Sequence, residues 1–154
     1  MADSTPLANT DDLRQALGEL VVTSYRVTRL AAQSTGSQEA AATWAALSVL
    51  NSYGPVRLGE LASYSRVAQP TMTKIVRGLL DSGWVARATE ETDARAVRIA
   101  ITKEGEDALE QWRDELADAL VPFFVDLPER DLAVLQRTVE ILGTRVGGVH
   151  HNEE

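Results

Sequence analysis

The sequence contains no cysteine. That one absence removes disulfide frameworks, thiolate metal sites, cysteine nucleophiles and thiol redox sensing. Histidine is almost as scarce: His150 and His151 are adjacent and close to the end, so a Ser-His-Asp site would have to be built from the tail. No apolar run approaches the roughly 20 residues that cross a bilayer. The stretch from Ala119 to Val125 is short and interrupted by Pro122, so no membrane partner is expected. Met1 to Thr10 carries Asp3 and no apolar run, which reads as no secretory leader and a cytoplasmic protein. There is no Gly-rich phosphate loop and no H-E-x-x-H run. An enzyme and a cofactor are therefore not expected.

What is present is ordinary globular material: 154 residues, 44% hydrophobic and 25% charged, enough for one domain without disulfides or a structural metal. The net charge of −8 argues against a polyanion partner until its distribution is followed. Between Arg57 and Lys103 eight basic residues stand against five acidic ones, a net of +3, which leaves −11 for the rest. One segment is electropositive between two acidic flanks. A solvated surface with chance clustering gives the same count, so charge alone decides nothing.

The periodicity predicts mainly helices. Asp11 to about Ala32 has Leu13, Leu17, Leu20, Val27 and Ala31 at three- and four-residue steps. Ser37 is a candidate N-cap for a second helix to about Asn51, with Trp44, Leu47 and Leu50 inward, stopped by Tyr53-Gly54-Pro55. A short helix over Leu58 to Tyr64, a turn over Ser65 to Ala68 and a further helix follow. Pro70 suits the first turn of that helix, and Met72, Ile75, Val76, Leu79 and Leu80 form its apolar face, with Gly83 free to end it. The period then falls to two over Trp84 to Ala88 and Arg95 to Ile101, a hairpin with a polar tip at Thr89 to Ala94. Thr102 can cap a long helix in which Pro122 predicts a kink. A last helix after Leu127-Pro128 carries Leu132, Leu135, Val139, Leu142 and Val146 in 3-4-3-4 spacing, and Gly147-Gly148 ends it.

Two helices joined by a four-residue turn and followed at once by a hairpin place one helix in a major groove and a loop beside it. With the apolar face inward, a 100° step per residue turns Pro70, Lys74, Arg77 and Gly78 outward, with Thr71 and Thr73 at the margins. Threonine and Gln69 can reach base edges or phosphates, arginine can fork onto guanine, and Lys74 is a point charge suited to phosphate. A plain solvated helix face would carry the same residues.

The run Leu61-Ala62 through Val67, then Pro70-Thr71-Met72-Thr73-Lys74-Ile75-Val76-Arg77-Gly78-Leu79-Leu80-Asp81-Ser82-Gly83-Trp84-Val85-Ala86-Arg87, resembles the helix-turn-helix of MarR-type winged-helix regulators. Asp93-Ala94-Arg95, Val97 to Ile101 and Thr102-Lys103-Glu104-Gly105 resemble that family's D-x-R wing and its entry into the next helix. The resemblance spans nearly the whole chain. It implies a mainly α fold with a winged helix-turn-helix lobe, in which the N- and C-terminal helices form a dimerisation region. The expected layout is one domain over 1–154, dimerisation helices at 9–34 and 128–147, a DNA-binding lobe at 38–101 and a long linking helix at 102–126. The implied function is a homodimeric regulator, expected to repress, that binds double-stranded DNA at a pseudo-palindrome. The implied contacts fall on Arg66, Gln69, Thr71, Thr73, Lys74 and Arg77, with wing Arg95 in the minor groove and Asp93 orienting it.

There are departures from the family pattern. Arg66 stands where the turn often has glycine, Ala68 where a capping Ser or Asn is common, and Lys74 where arginine is common. Glu90 and Glu91 on the wing repel phosphate unless they point away. The stripes of the end helices offer more apolar surface than the lobe can cover, which supports a dimer independently of the resemblance. The family often answers to small aromatic or anionic effectors; Tyr25, Trp44, Tyr53 and Trp112 are the candidate lining here, though aromatics at helical spacing are usually core. Three rival readings stand beside this one. Glu104, Glu106, Asp107 and Glu110 follow a helix's outer face, where solvation explains them better than catalysis. His150 and His151 with Glu153 and Glu154 offer at most a weak metal site on a tail. A winged helix used for protein contacts alone is the third.

Overall fold

A computed structural model describes residues 9–35, 41–89 and 97–146. The capping position expected at Ser37, the wing residues Asp93 and Arg95, and the tail histidines lie outside these segments. Helix α1 (Thr10–Thr35) opens on Asn9, whose side-chain oxygen accepts from the Asp11 N–H at 3.0 Å, and has Asp11 and Asp12 in its first turn. Helix α2 (Ala41–Tyr53) closes where the Gly54 N–H reaches the Leu50 carbonyl at 3.0 Å, with Gly54 at φ 75°. Next come strand β1 (Val56–Arg57), α3 (Leu58–Tyr64), α4 (Gln69–Asp81), β2 (Val85–Thr89) and β3 (Val97–Ile101). Helices α5 (Lys103–Leu120) and α6 (Glu129–Val146) are the last described elements, separated by a 3-10 turn at Val121–Phe123.

The sheet is antiparallel in the order β1-β3-β2, with Val56 opposite Ile99 and Val85 opposite Ile101. The hairpin was legible from its alternation. Strand β1 was not, because two residues carry no period; it exists because Val56 is buried against the sheet and Glu60 holds the Arg57 N–H at 2.7 Å as α3 begins.

One expectation is corrected. The helix expected over 102–126 with a kink at Pro122 instead stops at Leu120, and the 3-10 turn carries Pro122 in its first positions. Proline removes an N–H and crowds the carbonyl four residues back, so the α-helical ladder ends there instead of bending. The Val121 N–H still bonds the Ala117 carbonyl, while that of Phe124 turns to Val121 at 2.9 Å.

The main core lies in the middle of the chain. Leu47, Leu50, Leu61, Met72, Leu79 and Leu109 are fully enclosed, with Trp44, Val56, Val76, Val85 and Ile99 around them. Helix α4 thus buries Met72, Val76 and Leu79, and α5 joins the same core through Gly105 and Leu109 in its first half. The end helices differ. Helix α1 packs along α5 but buries only Ala31, and α6 buries nothing. Leu135 and Val139 on the α6 stripe are 47% and 63% exposed. The exposed side of α5 carries seven carboxylates, from Glu104 to Asp118, against Lys103 and Arg113. Lys103 pairs with Asp107 at 2.7 Å, and that hydrogen bond raises its pKa. Among the described residues no helix is long and apolar enough to cross a membrane, and no group of His, Asp and Glu is arranged to hold a metal.

Candidate nucleic-acid interface

Helix α3 ends in a Schellman turn. The Val67 N–H reaches back to the Ala62 carbonyl at 2.9 Å and the Arg66 N–H to Ser63 at 3.0 Å, which requires the residue between to be left-handed. That residue is Arg66, at φ 52°. Its Cβ makes this conformation costly, so the turn is held by Val67 and the two hydrogen bonds rather than by preference.

Ala68 follows as the N-cap of α4, and no side chain caps the helix. Its carbonyl accepts from Thr71 and Met72, both at 2.9 Å, and Pro70 contributes no N–H to the open turn. Gln69, Thr71, Thr73, Lys74 and Arg77 are all exposed, on the side opposite Met72 and Val76. The Thr73 hydroxyl donates to the Gln69 carbonyl at 2.9 Å, so in this state it meets a ligand as an acceptor. Among the described residues Lys74 and Arg77 have no ion-pair partner. Both cations are therefore displayed to solvent on a helix whose other face is fixed in the core.

The structure adds a residue that sequence reasoning missed. A furrow of about 360 Å³ runs between α4 and the sheet, with Thr73, Arg77 and Arg87 on it and Val76, Leu80 and Ile99 below. Arg87 pairs across the sheet with buried Ile99 yet is itself exposed. Its signal in the sequence was a cation in the inward phase of a strand, two residues after buried Val85. Asp93 and Arg95, expected on the wing, fall in sequence between Thr89 and Val97, the paired ends of β2 and β3, and lie outside the described residues.

The four aromatic residues proposed for an effector pocket are not brought together. Trp44 is sandwiched between Trp84, at 5.5 Å, and Trp112, at 4.9 Å between ring centroids. A pocket of about 150 Å³ lies beside this stack, lined also by Gln111 and Glu115. Tyr53 stacks instead on Tyr64 at 4.9 Å, and Tyr25 is 70% exposed on α1.

The helix-turn-helix, the sheet and the flanking helices match known proteins. The family model described as MarR family matches residues 41–97. YdgG, a helix-turn-helix-type transcriptional regulator of Bacillus subtilis, is 31% identical over 104 residues, covering 66% of this chain and 68% of the relative. The chain belongs to the MarR family of transcriptional regulators. YwoH of the same organism, also a helix-turn-helix-type regulator, is 37% identical over 68 residues, which is 44% of this chain and 49% of YwoH. The chain thus spans about half the length of that relative. The crystal structure of the transcriptional regulator Tm0710 from Thermotoga maritima superposes with a TM-score of 0.66 at 22% identity, covering 88% of this chain and 94% of that one. The fold shared with that structure accordingly extends beyond the lobe to the end helices.

Proposed function

We propose that this MarR-family chain is a homodimeric, sequence-specific regulator that binds double-stranded DNA at a pseudo-palindromic operator and represses by occupying it. The observation that carries the reading is the outer face of α4, where the exposed side chains of Thr71, Lys74 and Arg77 have no hydrogen-bond or ion-pair partner among the described residues, on a helix anchored by Met72, Val76 and Leu79. Arg77 is suited to guanine in a major groove, Lys74 and Arg87 to phosphate, and Gln69 to contacts at the helix entry, with Arg66 in the turn before it. Arg95, oriented by Asp93, is assigned to the minor groove.

Dimerisation through 9–34 and 128–147 is supported by α6. An amphipathic helix that buries no residue in its own chain needs another surface, and a second copy supplies the same stripe in return. Two lobes related by a two-fold axis present their α4 helices to half-sites about one turn, or roughly 10 base pairs, apart. Repression then needs only occlusion of the site.

A small anionic or aromatic effector is the third part of the proposal. The Trp44 indole N–H is buried and has no hydrogen-bond acceptor among the described residues, and the adjoining pocket of about 150 Å³ has room for one aromatic ring. An acid that accepts from Trp44 would satisfy the donor.

The test is recovery of bound genomic fragments by footprinting, followed by affinity measurements on the recovered site across ionic strength, with sedimentation to give the oligomeric state. A dimer with a steep salt slope and a two-fold site is expected. A protein indifferent to every duplex at low salt overturns the reading and leaves a winged helix that serves protein contacts.

A further inference from the structure

The end of α4 and the start of α5 are fastened to each other through one side chain. The Thr102 hydroxyl donates to the Gly83 carbonyl at 2.7 Å and accepts from the Gly105 N–H at 3.1 Å, while the Thr102 N–H donates to the Trp84 carbonyl at 3.0 Å. Gly83 and Trp84 are the two residues that close α4, their N–H groups bound to Leu80 at 3.1 Å and Leu79 at 2.9 Å. Gly105 lies so close over this turn that a Cβ would fall 2.0 Å from the Trp84 oxygen. From the same turn the Trp84 indole stacks on Trp44 of α2, which stacks in turn on Trp112 of α5.

We infer that Thr102 is a positioning residue: it fixes the direction of α4 relative to α5, and through α5 the separation of the two α4 helices in the dimer. The inference rests on the DNA-binding reading given above. Helix α5 is a lever of 18 residues, with its first half in the lobe core and α1 packed against it. At 1.5 Å per residue it spans about 27 Å, so a tilt of about 10° at the joint displaces one end against the other by roughly 5 Å. That exceeds the rise of one base pair, about 3.4 Å. The joint therefore has to be stiff for a dimer to distinguish neighbouring half-site separations. Only a hydroxyl donates and accepts at once in this geometry. A carboxylate at the same place would still cap α5 but would have no proton for the Gly83 carbonyl.

The experiment uses the full chain with Thr102→Asp, Thr102→Val and Thr102→Ser. Affinities are measured on the operator, on the operator with one base pair inserted between the half-sites, and on a duplex with a single half-site. The wild type should prefer the native spacing by about tenfold, a preference that should shrink below about threefold in Thr102→Asp, with single half-site affinity unchanged. Thr102→Ser should restore the wild-type preference. Thr102→Val, which loses both the donor and the cap at nearly constant volume, gives the same reading if the aspartate variant does not fold. A wild type that binds no duplex overturns this inference together with the DNA reading. A wild type with a spacing preference that Thr102→Asp and Thr102→Val retain overturns the positioning role alone, as does an equal loss on the full operator and the single half-site.

Discussion

Arg66 and Gly83 occupy the same position in two copies of one turn. Each is the left-handed residue after a helix, at φ 52° and 73°, and each sits between a pair of Schellman hydrogen bonds. The second copy uses the residue that adopts this conformation freely, while the first uses an arginine at a cost of about 1 kcal/mol. Such strain beside a binding surface is what a functional side chain would justify. Arg66→Gly should raise stability by about 0.5 to 1 kcal/mol in urea melts and lower operator affinity. Gly83→Ala should destabilise by about 1 to 2 kcal/mol. An Arg66→Gly variant that binds the operator as tightly as the wild type would show that the arginine is merely tolerated.

Gly105→Ala puts a methyl group 2.0 Å from the Trp84 oxygen, a backbone atom that cannot step aside. We expect a loss of about 3 kcal/mol or more, read as a lower thermal midpoint and weaker near-ultraviolet dichroism from the displaced indoles. Gly78→Ala meets nothing within 4 Å and is the control that should stabilise, by up to about 1 kcal/mol.

Arg95→Ala and Lys74→Ala separate specificity from charge. Arg95→Ala should weaken operator binding by about 1 to 3 kcal/mol while the dimer survives in sedimentation. Lys74→Ala should weaken binding to all duplexes alike and lower the salt slope by about one unit. Normal binding by Arg95→Ala would remove the wing from the proposed contact set.

Leu135→Glu, or Val139→Glu one turn on, places a charge in the α6 stripe. Because α6 buries no residue in its own chain, either change should leave the lobe core intact and convert the proposed dimer to monomer at micromolar concentration. Operator affinity should fall toward that of a single half-site. Sedimentation equilibrium decides it, and a variant that stays dimeric would move the interface away from α6.

The parts of the fold that were legible share one property: a local pattern repeated over enough residues to be read. Helix α4 is the clearest case, since Met72, Ile75, Val76, Leu79 and Leu80 all turn inward or partly inward as their spacing predicts. Thr102 capping α5 was legible for a similar reason, because the cap acts three residues away. What escaped was non-local. Strand β1 depends on Ile99 and Arg98, more than forty residues on. Arg87 joins Thr73 and Arg77 only because the sheet folds back beside α4. The Trp44, Trp84 and Trp112 stack draws on three elements at once, which is why Tyr25 and Tyr53 looked equally good partners. Pro122 was noticed, but whether it bends or ends a helix depends on what lies beyond it.

The acidic side of α5 gives the molecule a handed approach to a polyanion. With exposed carboxylates from Glu104 to Asp118 on α5 and exposed Lys74 and Arg77 on α4, the field of the protein is uneven, and an uneven field turns a tumbling molecule before it touches. Overall repulsion from a net charge of −8 keeps it from lingering on arbitrary stretches of duplex. Encounters that arrive lobe-first are selected, so sliding would be brief and most collisions unproductive unless the groove beneath α4 already fits.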